Sequence, residues 1–328
     1  MTKQVKLLAL LSGGLDSTLA VKIVQNLGLD IEAIHFTTPF CLCDKCAVDS
    51  INEEFKVKVH HIFLGQEFLD MLTNPSHGYG SQMNICIDCR ILMWKKAKEL
   101  AEKIGAEHFV TGEVLDERPF SQRLPVIRLI EREAGLEGRI LRPLSAKLLP
   151  ETELEREGLI DRQALYSIRG RRRLPQMRLA DELNIRDYPC PSGGCLLTDP
   201  NFARRLREHM AHEGRPTLDH VALLKLGRHF RLGTTKVIVG RNEGENRVLT
   251  SMAEGRGIPC MDVVDFMGPV TLIMGNIKDE IAAKSAAITV RYSDAPRGTP
   301  VQVRYINEDE IILTAEAIED EELEKWRI

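Results

Sequence analysis

Residues 7–28 read LLALLSGGLDSTLAVKIVQNLG, and this stretch decides the fold of the first part of the chain. A run of apolar residues leads directly into Ser-Gly-Gly-Leu-Asp-Ser, and a helical pattern follows. Leu19, Ile23 and Leu27 recur at helical spacing, and Gly28 fits the position just past a helix end. The stretch therefore predicts a buried strand, a tight glycine turn and a helix, in that order.

The turn at residues 12–17 has the composition of a phosphate site. A strand that ends before a helix N-terminus directs several backbone N–H groups at one point, which favours an anion. Gly13 and Gly14 let a ligand approach the backbone, and Ser12 and Ser17 add hydroxyl donors. Asp16 repels phosphate, so we predict that it holds a Mg²⁺ ion bridging the phosphates of ATP. The motif is neither a Walker A loop nor a dinucleotide fingerprint, and the alternative is a tight turn without a ligand.

Strands and helices alternate along the next part of the sequence. The segments IEAIHF, VKVHHIFL, EHFVTG and GRILRPL have the composition of buried strands, and a helix is predicted from about residue 90 to residue 104. This alternation predicts a doubly wound α/β fold, with a parallel sheet and helices on both faces. Residues from about 150 to 210 have a mostly helical pattern. The later segments KVIVGRN, GPVTLIMGN, AAITVRYS and TPVQVRYI predict a C-terminal all-β module.

Charge is unevenly distributed along the 328 residues. The net charge of −4 does not by itself indicate a nucleic-acid partner, but seven arginines fall between Arg162 and Arg186. We predict that RNA binds five of them: Arg169, Arg171, Arg172, Arg173 and Arg178. The alternative is a solvated helix face. No apolar run approaches the roughly 20 residues that cross a membrane, and the first residues have no signal-peptide cleavage site, so we predict a cytoplasmic protein without a membrane partner.

The cysteines fall into groups that indicate metal or redox chemistry in a reducing compartment. Cys86 and Cys89 form a Cys-x-x-Cys pair at a predicted helix start, where the helix N-terminus favours thiolates. Cys190 or Cys195 can supply a third thiolate to the same metal. Structural zinc and surface cysteines without function are the alternatives. A further group, Cys41, Cys43 and Cys46, is compatible with a second metal site, a sulfur relay or a variable loop.

The SGGLDS turn closely resembles the SGGxDS motif of the PP-loop ATP pyrophosphatases. The resemblance implies the adenine nucleotide alpha hydrolase-like fold, cleavage of ATP between its α and β phosphates, and adenylation of an oxygen on a substrate. It also implies nucleotide contacts at Phe36, Thr111 and Gly112. Those residues end predicted strands, where ligands of open α/β sheets bind.

Two cysteine-bearing segments resemble the tRNA thiolation branch of this superfamily. Residues 83–122 and 171–199 are similar to motifs of the tRNA 2-thiouridylases, and TGEVLDERPFSQ resembles a loop of the 4-thiouridine synthetases. On this match Cys89 and Cys195 take the places of the two family cysteines. The resemblance therefore implies catalytic roles for these two cysteines, in addition to Asp16 of the SGGLDS turn. The resemblance to iron–sulfur-dependent tRNA thiolases implies that Cys86, Cys89 and Cys195 hold a [4Fe–4S] cluster with one open iron, with Cys190 as the alternative third ligand. The competing mechanism has no metal, with a persulfide on Cys195 that Cys89 resolves.

These resemblances predict an ATP-dependent tRNA sulfurtransferase that adenylates a uridine carbonyl and replaces its oxygen with sulfur. Three parts are expected: an ATP-binding domain at 1–150, a helical, arginine-rich segment at 151–215 that completes the active site, and a β-rich domain at 216–328. The expected partners are tRNA and a sulfur donor, either inorganic sulfide, a cysteine desulfurase or a sulfur carrier protein, and a homodimer is possible. The alternatives are transfer of sulfur or nitrogen to a small molecule, and a non-catalytic zinc-bound nucleotide sensor.

Overall fold

The computed structural model of the protein describes residues 5–42, 48, 53, 55–186 and 194–328. The chain divides into two compact units, residues 1–199 and residues 200–328. The three-part division with boundaries at 150 and 215 stays a prediction. In the described part of the chain, no helix combines the length and the apolar character that a membrane span requires.

The described part of the first unit is built on a five-stranded parallel sheet with the strand order β3-β2-β1-β4-β5. The strands are β1 (Lys6–Leu10), β2 (Asp30–Thr37), β3 (Val59–Phe63), β4 (His108–Thr111) and β5 (Ile140–Leu141). Successive strands are added on one side of β1 and then on the other, so the order reverses between β1 and β4. This topology confirms the predicted α/β fold, and a ligand crevice is expected outside the carboxyl ends of the strands at the reversal.

Helices connect these strands. Among the described residues they are α1 (Leu15–Asn26), α2 (Gln66–Thr73), α3 (Cys86–Ile104) and α4 (Leu124–Ala134), and two further helices follow β5: α5 (Glu153–Arg156) and α6 (Leu174–Glu182). The predicted helix from residue 90 begins one turn earlier, at Cys86, because the Asn84 side chain accepts a hydrogen bond from the Cys86 backbone N–H at 2.8 Å. Both residues of the Cys-x-x-Cys pair therefore lie in the first turn of α3.

The core of the first unit forms where α1 packs on the sheet. Leu15, Leu19 and Val24 of α1 are fully buried together with Leu7 of β1. The apolar stripe of the opening sequence therefore buries the helix against the sheet, as its spacing predicts. This packing fixes the turn between β1 and α1 relative to β4.

The second unit contains an antiparallel sheet of six strands in the order β11-β10-β8-β9-β7-β6 within the described residues. The strands are β6 (Arg228–Leu232), β7 (Thr235–Val239), β8 (Cys260–Val263), β9 (Thr271–Met274), β10 (Val301–Ile306) and β11 (Glu310–Ala315). The predicted strands at KVIVGRN, GPVTLIMGN and TPVQVRYI are confirmed as β7, β9 and β10.

Helices also occur in the second unit, so it is not all β. They are α7 (Pro200–Glu213), α8 (Leu218–Leu224), α9 (Glu243–Arg256), α10 (Asp279–Arg291) and α11 (Asp320–Trp326). The strand predicted at AAITVRYS is wrong, because Ile288 to Val290 belong to α10. Ala282, Ala286 and Thr289 are buried on one side of this helix, and burial outweighs the strand preference of its β-branched residues.

Candidate active site

A cavity of about 350 Å³ opens at the carboxyl ends of β1, β2 and β4, within the first unit. Two sets of predicted residues line it. Of the residues predicted for ATP, Gly13 does not line the cavity and the other seven do: Ser12, Gly14, Asp16, Ser17, Phe36, Thr111 and Gly112. The residues of the set predicted for sulfur chemistry that line it are Cys86, Cys89 and Cys195. The fold therefore brings both sets to one place, although the sequence separates their members by up to 183 positions.

The glycine turn is held in shape by its own hydroxyl groups. Gly13 has a φ of 78°, in the left-handed region that favours glycine. The Ser17 hydroxyl donates to the Gly14 carbonyl at 2.9 Å and accepts from the Ser12 backbone N–H at 3.2 Å. The Ser17 hydroxyl is thus used inside the turn. Backbone N–H groups at the start of α1 remain the natural donors for a bound anion.

Gly112 lies where β4 passes the start of α1. A Cβ atom placed on Gly112 would lie 2.3 Å from the backbone carbonyl carbon and oxygen of Asp16 and 2.4 Å from the backbone nitrogen of Ser17. The backbone cannot move aside as a flexible side chain does. Glycine at position 112 is therefore required for the glycine turn to form beside β4, independently of any contact with ATP.

Replacing Gly112 with alanine should displace the glycine turn. We expect a loss of about 3 kcal/mol in the free energy of unfolding, because the added methyl group overlaps backbone atoms. Gly255→Ala is the matched control, since Gly255 lies within α9 and a Cβ there meets no atom within 4 Å. Denaturant titration of both variants checks the difference, and equal stabilities would contradict the close packing at Gly112.

Asp16 and Glu117 place two carboxyl groups in the cavity. Burial raises the pKa of Asp16, and the positive charges of Arg173 and Arg118 oppose that rise. The Asp16 Oδ1 atom is buried and has no hydrogen-bond partner among the described residues. Burial, followed by the charge of Asp16, raises the pKa of Glu117 to about 7. Two half-buried carboxylates that repel each other are the kind of oxygen donors that a divalent cation neutralises.

Sequence reasoning did not single out Glu117. The signal was available, because Glu117 follows the end of β4 by six residues in TGEVLDE, and carboxylates at strand ends face the ligand crevice. The residue adds a second oxygen donor beside Asp16.

The five arginines predicted for RNA do not share one environment. Arg173 lines the cavity, and its Nε atom is buried without a hydrogen-bond partner in the described structure. The other four, Arg169, Arg171, Arg172 and Arg178, are exposed. Arg169 pairs with Asp116 at 2.7 Å between Nε and Oδ2. Arg173 therefore lines the same cavity as the glycine turn, as does Arg118.

The cysteines reach the cavity from separate chain segments. Cys86 and Cys89 come from the first turn of α3, and Cys195 precedes a single 3₁₀ turn at residues 196–198. Two backbone hydrogen bonds fasten that turn to its surroundings: the Leu196 N–H donates to the Phe40 carbonyl and the Met83 N–H donates to the Leu197 carbonyl, both at 3.0 Å. A further thiol, Cys41, also lines the cavity. Cys43, Cys46 and Cys190 lie outside the described residues.

The electrostatics of these thiols favour a bound cation. Burial raises the pKa of Cys89 far above its ordinary range and that of Cys195 to about 12, and the neighbouring thiols add to both shifts. A metal ion reverses this preference, because coordination deprotonates a thiol. The donor set therefore fits a thiolate-bound metal group.

The spacing of the sulfurs bears on the kind of metal group. No three described cysteines bring their sulfurs within 4.8 Å of one another. Tetrahedral zinc with Zn–S bonds of about 2.3 Å needs sulfurs about 3.8 Å apart. The described cysteine sulfurs are therefore not arranged as three ligands of one tetrahedral zinc ion.

A different trio, His209, Glu213 and His220, does bring its ligand atoms within 4.8 Å, in the second unit. Several of its polar atoms are already hydrogen-bonded, whereas the buried His209 Nε2 has no hydrogen-bond partner within the described residues. Glu213 accepts from His209 Nδ1 at 2.9 Å and from Arg231 at 2.7 Å, and His220 Nδ1 accepts from the Thr217 N–H at 3.3 Å. The ion pairs of Glu213 with His209 and Arg231 join α7 to β6.

A buried ionic cluster joins β4 to the cysteine helix. Glu113 directly follows Gly112 and accepts from Arg142 Nε at 3.1 Å, and Arg90 Nε lies 3.4 Å from its other oxygen. Arg142 also pairs with Glu131. Because Arg90 is the neighbour of Cys89, this cluster fixes the first turn of α3 relative to the end of β4.

Two family models match the chain. Residues 2–147 match the model described as thiamine biosynthesis protein (ThiI), and residues 227–327 match the model described as NFACT protein RNA binding domain. The first match spans the parallel sheet together with the glycine turn, Cys41 and the Cys-x-x-Cys pair. The second match spans the antiparallel sheet of the second unit.

Individual relatives are distant. A probable tRNA sulfurtransferase of Methanothermobacter thermautotrophicus is 29% identical over 176 residues, which are 50% of this chain and 42% of that protein. A probable tRNA sulfurtransferase of Thermococcus kodakarensis is 26% identical over 164 residues, which are 48% of this chain and 40% of that protein. The chain thus spans less than half the length of these relatives.

One similar solved structure is a predicted subunit of tRNA methyltransferase from Methanocaldococcus jannaschii, at 18% identity. It has a TM-score of 0.31, and the match covers 47% of this chain and 73% of that one. The family assignment therefore depends on the matched model, the strand order and the SGGLDS turn. Residues 2–147 are a PP-loop domain of the ThiI family.

Proposed function

We propose that the protein is an ATP-dependent sulfurtransferase that acts on tRNA, adenylating a uridine carbonyl oxygen and replacing it with sulfur. The observation that carries the proposal is the shared cavity, in which a PP-loop turn and cysteines from separate chain segments face the same space. An activated oxygen and a sulfur-handling group must meet for such a substitution. The similarity to probable tRNA sulfurtransferases supports the same assignment.

The first step is activation by ATP. The uracil carbonyl oxygen attacks the α-phosphorus, and pyrophosphate leaves. Backbone N–H groups at the start of α1, with Arg173 and Arg118, stabilise the charge on the phosphate oxygens. Asp16 and Glu117 would hold Mg²⁺, which supplies further charge neutralisation at the phosphates.

The second step is substitution. A sulfur nucleophile attacks the O-adenylated carbon, the carbon–oxygen bond breaks and AMP leaves. Cys86, Cys89 and Cys195 would hold a [4Fe–4S] cluster, with Cys190 as the alternative third ligand, and such a cluster supplies iron with an affinity for sulfide. The apolar lining residues Leu10, Ile34 and Met93 limit access of water to the adenylated base, which water would otherwise hydrolyse.

RNA binding is assigned to two surfaces. The exposed Arg169, Arg171, Arg172 and Arg178 form a basic group near α6, and residues 227–327 resemble an RNA-binding domain. Phosphate contacts of this kind carry affinity without reading sequence. The target base must leave its stack to reach a buried cavity.

Substitutions of Arg173 and of its exposed neighbours should have different effects on ATP binding and on RNA binding. Glu substitutions at Arg171 and Arg172 are expected to weaken tRNA binding and to reduce the slope of log K against log salt by about one unit for each lost phosphate contact. Arg173→Ala should instead raise the KM for ATP and leave the salt slope unchanged. Filter binding at several salt concentrations and pyrophosphate release check both effects, and a reversed pattern would contradict the placement of Arg173.

Glu117 should give the metal-free protein a pH-dependent stability. The folded-state pKa of about 7 lies above the ordinary value of 4.5, so the folded state binds more protons than the unfolded state between these values. The free energy of unfolding should therefore fall as the pH rises from about 5 to 8, and Glu117→Gln should remove that part of the decrease. Denaturant titrations of both proteins at each pH test this, and identical pH profiles would contradict the burial of a titrating Glu117.

The proposed function is tested by reconstitution. The protein purified without oxygen is incubated with tRNA, ATP, Mg²⁺ and sulfide, and the nucleosides are analysed by mass spectrometry. A thiolated uridine that requires ATP and is missing with Asp16→Asn is the expected result. The RNA substrate would be refuted if no thiolated nucleoside formed and if pyrophosphate were released only after a small-molecule acceptor was added in place of tRNA.

A further inference from the structure

Cys41 is the thiol of the cavity that neither nucleotide binding nor the three-cysteine set explains. It lies four residues beyond the end of β2, at the same edge of the sheet as the glycine turn. Cys41 is half-buried, and the adjacent Leu42 also lines the cavity while keeping 53% of its surface exposed. Cys41 thus lies in the cavity wall beside an exposed residue, and Cys86, Cys89 and Cys195 are half-buried like it.

The Cys41 sulfur has donors directed at it. The Thr38 backbone N–H donates to Sγ at 3.3 Å, and the Thr38 hydroxyl lies 3.3 Å from Sγ. That hydroxyl also accepts from the Phe40 N–H at 3.2 Å, and it donates to the sulfur when Cys41 is ionised, because a thiolate has no hydrogen of its own. Two donors on one sulfur stabilise the thiolate, the nucleophilic form of cysteine.

The loop that carries Cys41 is also joined to the loop that carries Cys195. The Leu196 N–H donates to the Phe40 carbonyl at 3.0 Å, so the residues before Cys41 and after Cys195 are in direct contact. A sulfur atom released from Cys41 is therefore released beside the remaining thiols.

We propose that Cys41 is the entry thiol for sulfur, accepting a sulfane sulfur from a persulfide donor and releasing it as hydrosulfide into the cavity. The proposal rests on the proposed sulfurtransferase function and adds the class of donor and the residue that receives it.

The chemistry balances with named reactants. The Cys41 thiolate attacks the terminal sulfur of a persulfide R–S–SH, a new sulfur–sulfur bond forms on Cys41, and the donor leaves as the thiolate R–S⁻. This exchange is redox-neutral. For release, one thiol of a dithiol reductant attacks Cys41 Sγ and frees HS⁻. The second thiol then resolves the mixed disulfide, so the dithiol is oxidised as the sulfane sulfur is reduced by two electrons.

The test begins with the loading step, which needs neither ATP nor RNA. The full chain, purified without oxygen, is treated with ³⁴S-labelled glutathione persulfide, alkylated and digested, and each cysteine peptide is analysed by mass spectrometry. We expect the labelled persulfide on Cys41 and none on Cys260, which is equally half-buried but lies in β8 of the second unit. Thr38→Val removes the hydroxyl donor and should slow labelling several-fold.

The second part of the test is transfer to RNA. With glutathione persulfide and a dithiol, the thiolation rate of Cys41→Ser should be at least tenfold lower than that of the wild-type protein. With inorganic sulfide, the two rates should be equal. Its iron content and its pyrophosphate release should not change. Label on another cavity cysteine, or equal transfer from persulfide by Cys41→Ser, would overturn the proposal. If the wild-type protein thiolates no RNA from either donor while Cys41 takes the label, the proposed acceptor fails and the entry thiol is supported.

Discussion

Asp16→Asn should produce a folded protein that no longer releases pyrophosphate from ATP. The carboxylate is assigned to the metal at the phosphates, and loss of one such electrostatic contact lowers turnover by at least about a hundredfold. Stability should not decrease, because Asp16 Oδ1 has no hydrogen-bond partner within the described structure and burial raises its pKa. The negative charge of Asp16 is thus a cost to the fold, and its removal relieves that cost.

Asp116→Asn is the control for this variant. Asp116 lies close in sequence to Glu117 but pairs with Arg169 and does not line the cavity. Its φ of 62° is one that asparagine adopts readily, so the backbone is undisturbed. Pyrophosphate release and thermal unfolding are measured on both. Normal pyrophosphate release by a folded Asp16→Asn protein would disprove the assignment of the turn to ATP.

If three thiolates hold the proposed cluster, we expect a loss of iron and of its visible absorption in each of three variants: Cys86→Ala, Cys89→Ala and Cys195→Ala. A cluster held by three thiolates loses an anchoring bond in every single variant, and the remaining two thiols are left in a setting that favours protonation. Sulfur transfer should fall with the iron, whereas pyrophosphate release should persist because no cysteine is assigned to the phosphates. Iron analysis and absorption spectra after anaerobic purification provide the measurement.

Cys260→Ala controls for the loss of a thiol, since Cys260 belongs to the second unit. A colourless wild-type protein that stays active after Cys86→Ala would exclude the cluster. That outcome would favour persulfide chemistry on Cys195 with Cys89 as the resolving thiol, because such a mechanism needs only two cysteines.

The features predictable from sequence are those that a short segment encodes by itself. The opening strand, glycine turn and helix follow from apolar spacing and two glycines, and the structure has them as β1 and α1. The pair Cys86 and Cys89 could be placed at a helix start because both the motif and the helix are local. In each case neighbouring residues determine the conformation, so no distant contact is needed to infer it.

Other features depend on contacts between distant segments. Arg173 belongs to an arginine-rich run, and only tertiary packing distinguishes it from the exposed Arg171 and Arg172. The requirement for Gly112 comes from the backbone of residues 16 and 17, nearly a hundred positions earlier in the chain. The end of α10 was predicted as a strand because it is rich in β-branched residues. In the structure these residues belong to a helix with one buried face, and composition alone does not show that face.

The way the 3₁₀ turn after Cys195 is fastened has a consequence for biosynthesis. Its hydrogen bonds to Phe40 and Met83 join the beginning of the unit to its end, so the enclosure of the thiols must wait for residue 197. At roughly 5 to 20 residues per second, translation takes roughly 8 to 30 s to proceed from Cys41 to residue 197, and until then the turn that bonds to Phe40 does not exist. During that interval the nascent chain presents reduced thiols that can be oxidised or take up the wrong metal. Loading of the proposed cluster therefore follows synthesis of the unit, and its yield should depend on the supply of oxygen and iron at that stage.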